Sequence, residues 1–288
     1  MTSDIWQQIF NYDNYGELLS LVQNSLIAGA VLGLVGGVIG TFVMMRDLAF
    51  AVHGIAELSF AGASAALLIG VNVAAGSLAG SVLAAVIIGA LGVRARDRNS
   101  VIGVLMPFGL GLGVLFLALY KGRAANKFGL LTGQIVAVDT VQMSWLVGTS
   151  AVVLLGLAAV WRPLMFASLD PEVAAARGVP VRALSSVFMV LLGLSVAVAI
   201  QVVGALLVLA LLVTPAAAAM RVTASPARVI LLSVLFAVTS VVGGIMLALG
   251  SSIPISPYVT TISFTLYLGC RGIGGSRATR RVLPAPGS

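Results

Sequence analysis

Long apolar runs follow one another along almost the whole of this chain, separated by short clusters of charge. Of its 288 residues 60% are hydrophobic and 9% charged, whereas a soluble globular chain averages about 25% charged. One crossing of a bilayer takes about 20 consecutive apolar residues. In lipid the backbone must satisfy its own hydrogen bonds, as an α-helix does. The expected fold is therefore all-α, a polytopic transmembrane bundle of about nine helices, eight at the fewest. The runs lie near 19–45, 48–70, 71–93, 100–120 and 141–161, then 183–220, 229–249 and 257–272. The run 183–220 is long enough for two crossings, with a break near Gln201 and Gly204. Phe128 to Val138 is too short to cross and reads as a re-entrant or interfacial piece. Three parts result: an extracytoplasmic lead-in (1–18), a transmembrane domain (19–272), and a basic Pro- and Gly-rich cytoplasmic tail (273–288).

The 16 Lys and Arg against 9 Asp and Glu give a formal charge of +7. Here the bases sit between apolar runs, where they orient a chain in a membrane; no nucleic-acid partner is implied, and the expected surroundings are membrane lipid. With nine crossings the basic stretches 94–98, 162–182, 221–228 and beyond 271 share one side, the cytoplasmic one. Asp4, Asp13 and Glu17 then lie outside, and Lys121, Arg123 and Lys127 face outward against the trend. Cys270 is the single cysteine, so no intrachain disulfide is expected. The opening residues lack the basic and small-residue features of a signal peptide. There is no G-x-x-x-x-G-K-[ST] pattern and no H-E-x-x-H pattern. The chain is expected to be a transport component and not an enzyme, with no permanently bound cofactor.

His53 and Glu57 stand out within the second run. At i and i+4 they share a helix face. An ionisable group at bilayer depth costs about 3 kcal/mol on insertion scales. Imidazole and carboxylate suit a divalent transition metal. The competing reading is an internal pair that merely tolerates burial. Asp139, near the outer end of the fifth run, is placed to attract cations at an entrance or to cap a helix. Gln201 is placed to line the broken region or to bond across helices. Met44, Met45 and Met106 offer thioethers, though apolar packing is the simpler role. Gly29, Gly33 and Gly37 have the small-xxx-small spacing that allows close helix approach, as at a dimer face; the competing reading is that Gly and Ala are simply common in such helices.

The polar connection carries a short helix with its own punctuation. Asp170 suits the N-cap and Pro171 the first helical position. Glu172 and Arg177 complement the helix dipole. Gly178 suits the position after the helix, and Pro180 prevents continuation. So short a helix is marginal alone in water, so a membrane domain or a partner must hold it. It is either a capped turn or a rigid element that docks a cytoplasmic protein.

The segment Ala167-Ser-Leu-Asp-Pro-Glu-Val-Ala-Ala-Ala-Arg-Gly-Val-Pro-Val-Arg182 resembles the coupling segment of permeases from zinc- and manganese-type ABC importers. Gln201-Val-Val-Gly-Ala-Leu-Leu-Val-Leu-Ala-Leu-Leu-Val-Thr214-Pro215-Ala-Ala-Ala is similar to the family's following run. Arg98-Asn-Ser-Val-Ile-Gly103, Leu131 to Val138 and Ile253-Pro-Ile-Ser-Pro257 extend the resemblance over about residues 25–270, with Ser256 where the family has glycine. The family's second helix usually reads D-A-L-S-H-A-x-L-P-G. Aligned on Gly62, its Asp falls on His53, its His on Glu57 and its Pro on Ala61. The two ligand types are retained in exchanged positions.

The resemblance implies a multi-pass permease of a prokaryotic-type cell membrane. Two copies would form the pore, and His53 and Glu57 would hold zinc, manganese or iron in transit. Asp170, Pro171, Glu172, Arg177 and Gly178 would couple to a separate cytoplasmic ABC ATPase. An extracytoplasmic solute-binding protein would deliver the ion. The alternatives are a proton-coupled secondary transporter with His53 and Glu57 as a relay, an ABC permease for a larger metal chelate, and a non-transporting scaffold.

Overall fold

The computed structural model describes residues 22–91, 95–122, 129–130, 140–249 and 254–282. The lead-in, Asp139, the segment 131–138 and the last six residues of the tail lie outside the described residues. The described elements are helical throughout: α1 (Gln23–Met45), α2 (Ala49–Ile69), α3 (Val73–Leu91), α4 (Ala95–Leu119), α5 (Thr140–Ala159), α6 (Trp161–Leu169), α7 (Pro171–Ala176) and α8 (Val181–Val203). A 3-10 turn (Ala205–Leu207) follows, then α9 (Val208–Leu212), α10 (Thr214–Val222), α11 (Pro226–Leu249) and α12 (Ile255–Val282).

Seven of these helices, α1 to α5, α8 and α11, are long and apolar enough to cross a membrane. Among the described residues seven are thus found where about nine were expected. The other two expected crossings correspond to the broken stretch 205–222 and to α12. Gly204 ends α8 with φ +80°, a conformation costly for a residue with a Cβ. Pro215, in the first turn of α10, lacks the N–H that would continue α9 into it. In α12 the apolar residues are diluted by serine, threonine and tyrosine.

Glycine lets the helices approach closely. Gly29, Gly33 and Gly37 sit against Val241 and Ile245, Val238, and Val234 of α11. The small-xxx-small stripe is thus filled within the chain, and it does not present a dimer face. Gly62 faces Gly76, and Gly80 faces the Leu58 carbonyl, which locks α2 on α3. Buried serines add hydrogen bonds between helices. Ser233 donates to Gly37 O at 2.8 Å and Ser77 donates to Ala197 O at 3.2 Å. Ser256, where the family has glycine, donates to Val203 O at 3.3 Å. That carbonyl lies at the broken end of α8, where helical partners are lacking.

Candidate functional site

The site is built on α2, a 21-residue helix closed by Gly70 in the left-handed region at φ +76°. Two neighbours fix its rotation. On one flank α3 meets Leu58 and Gly62. On another, Gly109 of α4 lies against the Glu57–Leu58 backbone, while Gly54 lies against Ile102 and Met106. Met106 thus packs in the apolar interior, the role given it above. With the 54–58–62 side engaged, Phe50, His53 and Glu57 form a stripe that runs from the helix's open end into the interior. Exposure falls with depth along it: Phe50 is 71% exposed, the His53 side chain 30% and the Glu57 side chain 7%.

His53 Nε2 stands 3.6 Å from Glu57 Oε1. Ligand bonds of about 2.0–2.2 Å at a tetrahedral angle place two donors roughly 3.4 Å apart. The pair is therefore already spaced like one edge of a metal's coordination shell. Among the described residues no three of His, Cys, Asp and Glu come together, so this part of one chain supplies an edge and not a complete shell. The 3-10 turn and α9, where the chain breaks, pack against this same helix. Discontinuous helices beside an ionisable pair are a recurring arrangement in membrane transporters.

Gln201 belongs to a different place. It lines a cavity of about 300 Å³ with Leu67, Asn72, Gln142 and Trp145, and its Nε2 donates to Ala197 O of its own helix at 3.3 Å. Of the two roles expected for it, lining and a bond across helices, the described residues show no bond across helices. Leu67 lies roughly 21 Å along the helix from His53, so Gln201 and the pair mark separate levels of the bundle.

At the other end, α7 has the expected punctuation. The Asp170 carboxylate accepts from Val173 N at 2.9 Å, and Pro171 occupies the first turn. Arg177 sits at the C-cap, one residue beyond the last helical turn where it was expected. Gly178 follows with φ +82°. Ala174 is fully buried against Ala167 and Leu184, so the flanking helices hold this short element themselves. Sequence reasoning passed over Arg46. Its guanidinium donates to Ser168 Oγ at 3.2 Å and to Ser185 Oγ, and it lies 5.5 Å over the Phe188 ring. Arg46 therefore ties the α1–α2 turn, just before the site helix begins at Ala49, to the segment that carries α7. Its position immediately after an apolar run was the available signal.

A bundle of membrane-length helices with an ionisable pair beside a chain break is the architecture of a multi-pass membrane protein. Residues 19–271 match the ABC 3 transport family, and the chain belongs to that family. It is 29% identical over 249 residues to the manganese transport system membrane protein MntC of Halalkalibacterium halodurans, covering 86% of this chain and 85% of that one. It is 32% identical over 251 residues to the manganese import system permease protein ScaB of Streptococcus gordonii, covering 84% and 90%. The fold is similar to a chain of PsaBC from Streptococcus pneumoniae, solved in complex with Fab. The TM-score is 0.79 and the identity 28%, with 89% of this chain and 95% of that chain covered.

Proposed function

We propose that the chain is the permease of an ABC importer for a divalent transition metal, with manganese the first candidate, and that His53 and Glu57 hold the ion in transit. The carrying observation is the 3.6 Å imidazole–carboxylate edge, deep on one side and open on the other, on a helix held from two flanks. The relatives named for manganese transport and import support that choice of cargo. Two chains related by a two-fold axis would place two such edges face to face. The resulting N2O2 set suits manganese, zinc or ferrous iron. A half-open site also releases its ion readily, as transport requires.

A separate ATPase would engage α7 through Asp170, Pro171, Glu172, Arg177 and Gly178, and a solute-binding protein would load the outer mouth. ATP-driven switching would then expose the pair to each side in turn. Asp139 keeps its proposed role as an entrance residue. Family membership leaves the proton-coupled carrier without support. The test is ATP-driven uptake by the assembled complex in vesicles, with manganese, zinc and iron in parallel. His53→Ala and Glu57→Ala are expected to abolish uptake while leaving the complex intact. Undiminished uptake by both would refute the site.

A further inference from the structure

Around the α1–α2 turn, at the end of α8 opposite Gln201, the helix ends enclose a second cavity of about 300 Å³. Three arginines reach it from three places: Arg46 after α1, Arg98 in α4 and Arg182 at the start of α8. Ser185, Ser186 and Met189 complete the α8 wall. No Asp or Glu is among the described lining residues. Arg98 Nε is buried with no hydrogen-bond partner among the described residues. Burial, and then the positive charge of Arg98, hold Arg46 below the usual guanidinium range. A guanidinium keeps its charge in a protein, so partly buried like charges of this kind call for a counter-anion.

The chemistry of that anion follows from the walls. Arginine forks match phosphate oxygens, and the Ser185 hydroxyl, which accepts from Arg46, keeps its own proton to donate. The cavity lies at the arginine-bearing end of the bundle, which the positive-inside rule makes cytoplasmic, at the depth of lipid headgroups. Leu91 and Val187 are exposed on α3 and α8 beside the lining residues, as suits a pocket edged by acyl chains. Basic pockets between helices on this side bind anionic headgroups. We propose that the Arg46–Arg98–Arg182 cavity holds the phosphate of an anionic phospholipid from the cytoplasmic leaflet, bracing the turn that links the site helix to the α7 segment.

The experiment uses the purified full chain in mild detergent. Phosphatidylglycerol, phosphatidylcholine and inorganic phosphate are added separately, and retained lipid and thermal unfolding are measured. Wild type is expected to retain phosphatidylglycerol selectively and to unfold at higher temperature with it. Arg98→Gln and Arg182→Gln should each weaken retention roughly fivefold, and Arg98→Lys should weaken it less. Arg182 is exposed, so its variant reports even where Arg98→Gln does not fold. Equal retention of phosphatidylcholine, or unchanged phosphatidylglycerol retention in both Gln variants, would overturn the proposal. Stabilisation by inorganic phosphate alone would overturn the lipid source. Lost ATPase assembly in Arg182→Gln with unchanged lipid retention would overturn it in favour of a partner carboxylate. All these readouts are independent of metal transport.

Discussion

The Glu57 side chain is 7% exposed, while that of His53, one turn away, is 30% exposed. The buried member of the pair thus offers carboxyl oxygens and the more open member an exchangeable nitrogen. The family pattern has the carboxylate and imidazole the other way round along the same helix face. If the two side chains act only as a ligand edge, order along the helix matters less than having one of each. The double variant His53→Asp/Glu57→His is then expected to retain metal uptake. His53→Asp alone, with two carboxylates, and Glu57→His alone, with two imidazoles, should each lose most of it. Uptake assays on the three variants check this, and failure of the double variant beside two functional single variants would contradict it. The pair was legible in the sequence because an ionisable group in an apolar run is conspicuous. Its graded burial, His53 half-open and Glu57 enclosed, was not, since that depends on how α3 and α4 pack against the helix.

Short punctuation signals survive into structure better than long apolar runs do. Asp170, Pro171 and Gly178 specify local backbone geometry, and each occupies the position its chemistry requires. Asp170→Ala removes a cap worth about 1 kcal/mol. It is expected to lower transport-coupled ATPase activity while leaving metal binding unchanged, and the two assays run side by side separate these effects. The described residues depart from the expected crossing count where packing decides. The run 183–220 breaks at Gly204 and again before Pro215, and the resulting pieces lie against α2 and α12. The glycine stripe of α1 read equally as a dimer face or as the ordinary abundance of small residues, because its spacing permits close approach without naming what approaches; α11 fills it. Arg46 was missed because its partners, Ser168 and Ser185, are distant in sequence. Among the tight contacts, Gly62 has no room for a Cβ before the Gly76 carbonyl. Gly62→Val should destabilise the fold by roughly 1–3 kcal/mol or more through overpacking, seen as a lower unfolding temperature and loss of metal binding together.

The described residues offer one edge of the coordination shell that the proposed chemistry needs. It stands on α2, and among them no third His, Cys, Asp or Glu joins it. Meanwhile α4 and α5 expose Val104, Phe108, Val152 and Leu155, apolar surface that lipid or a second copy must cover. A two-fold pair of chains would complete the shell and would bring two α7 elements to one end for two ATPase subunits. The most direct test is equilibrium manganese binding by the purified complex, counted per permease chain, for wild type and Glu57→Ala. The account predicts one ion for every two wild-type chains and none for the variant. Undiminished binding by Glu57→Ala would contradict it and move the ion away from α2.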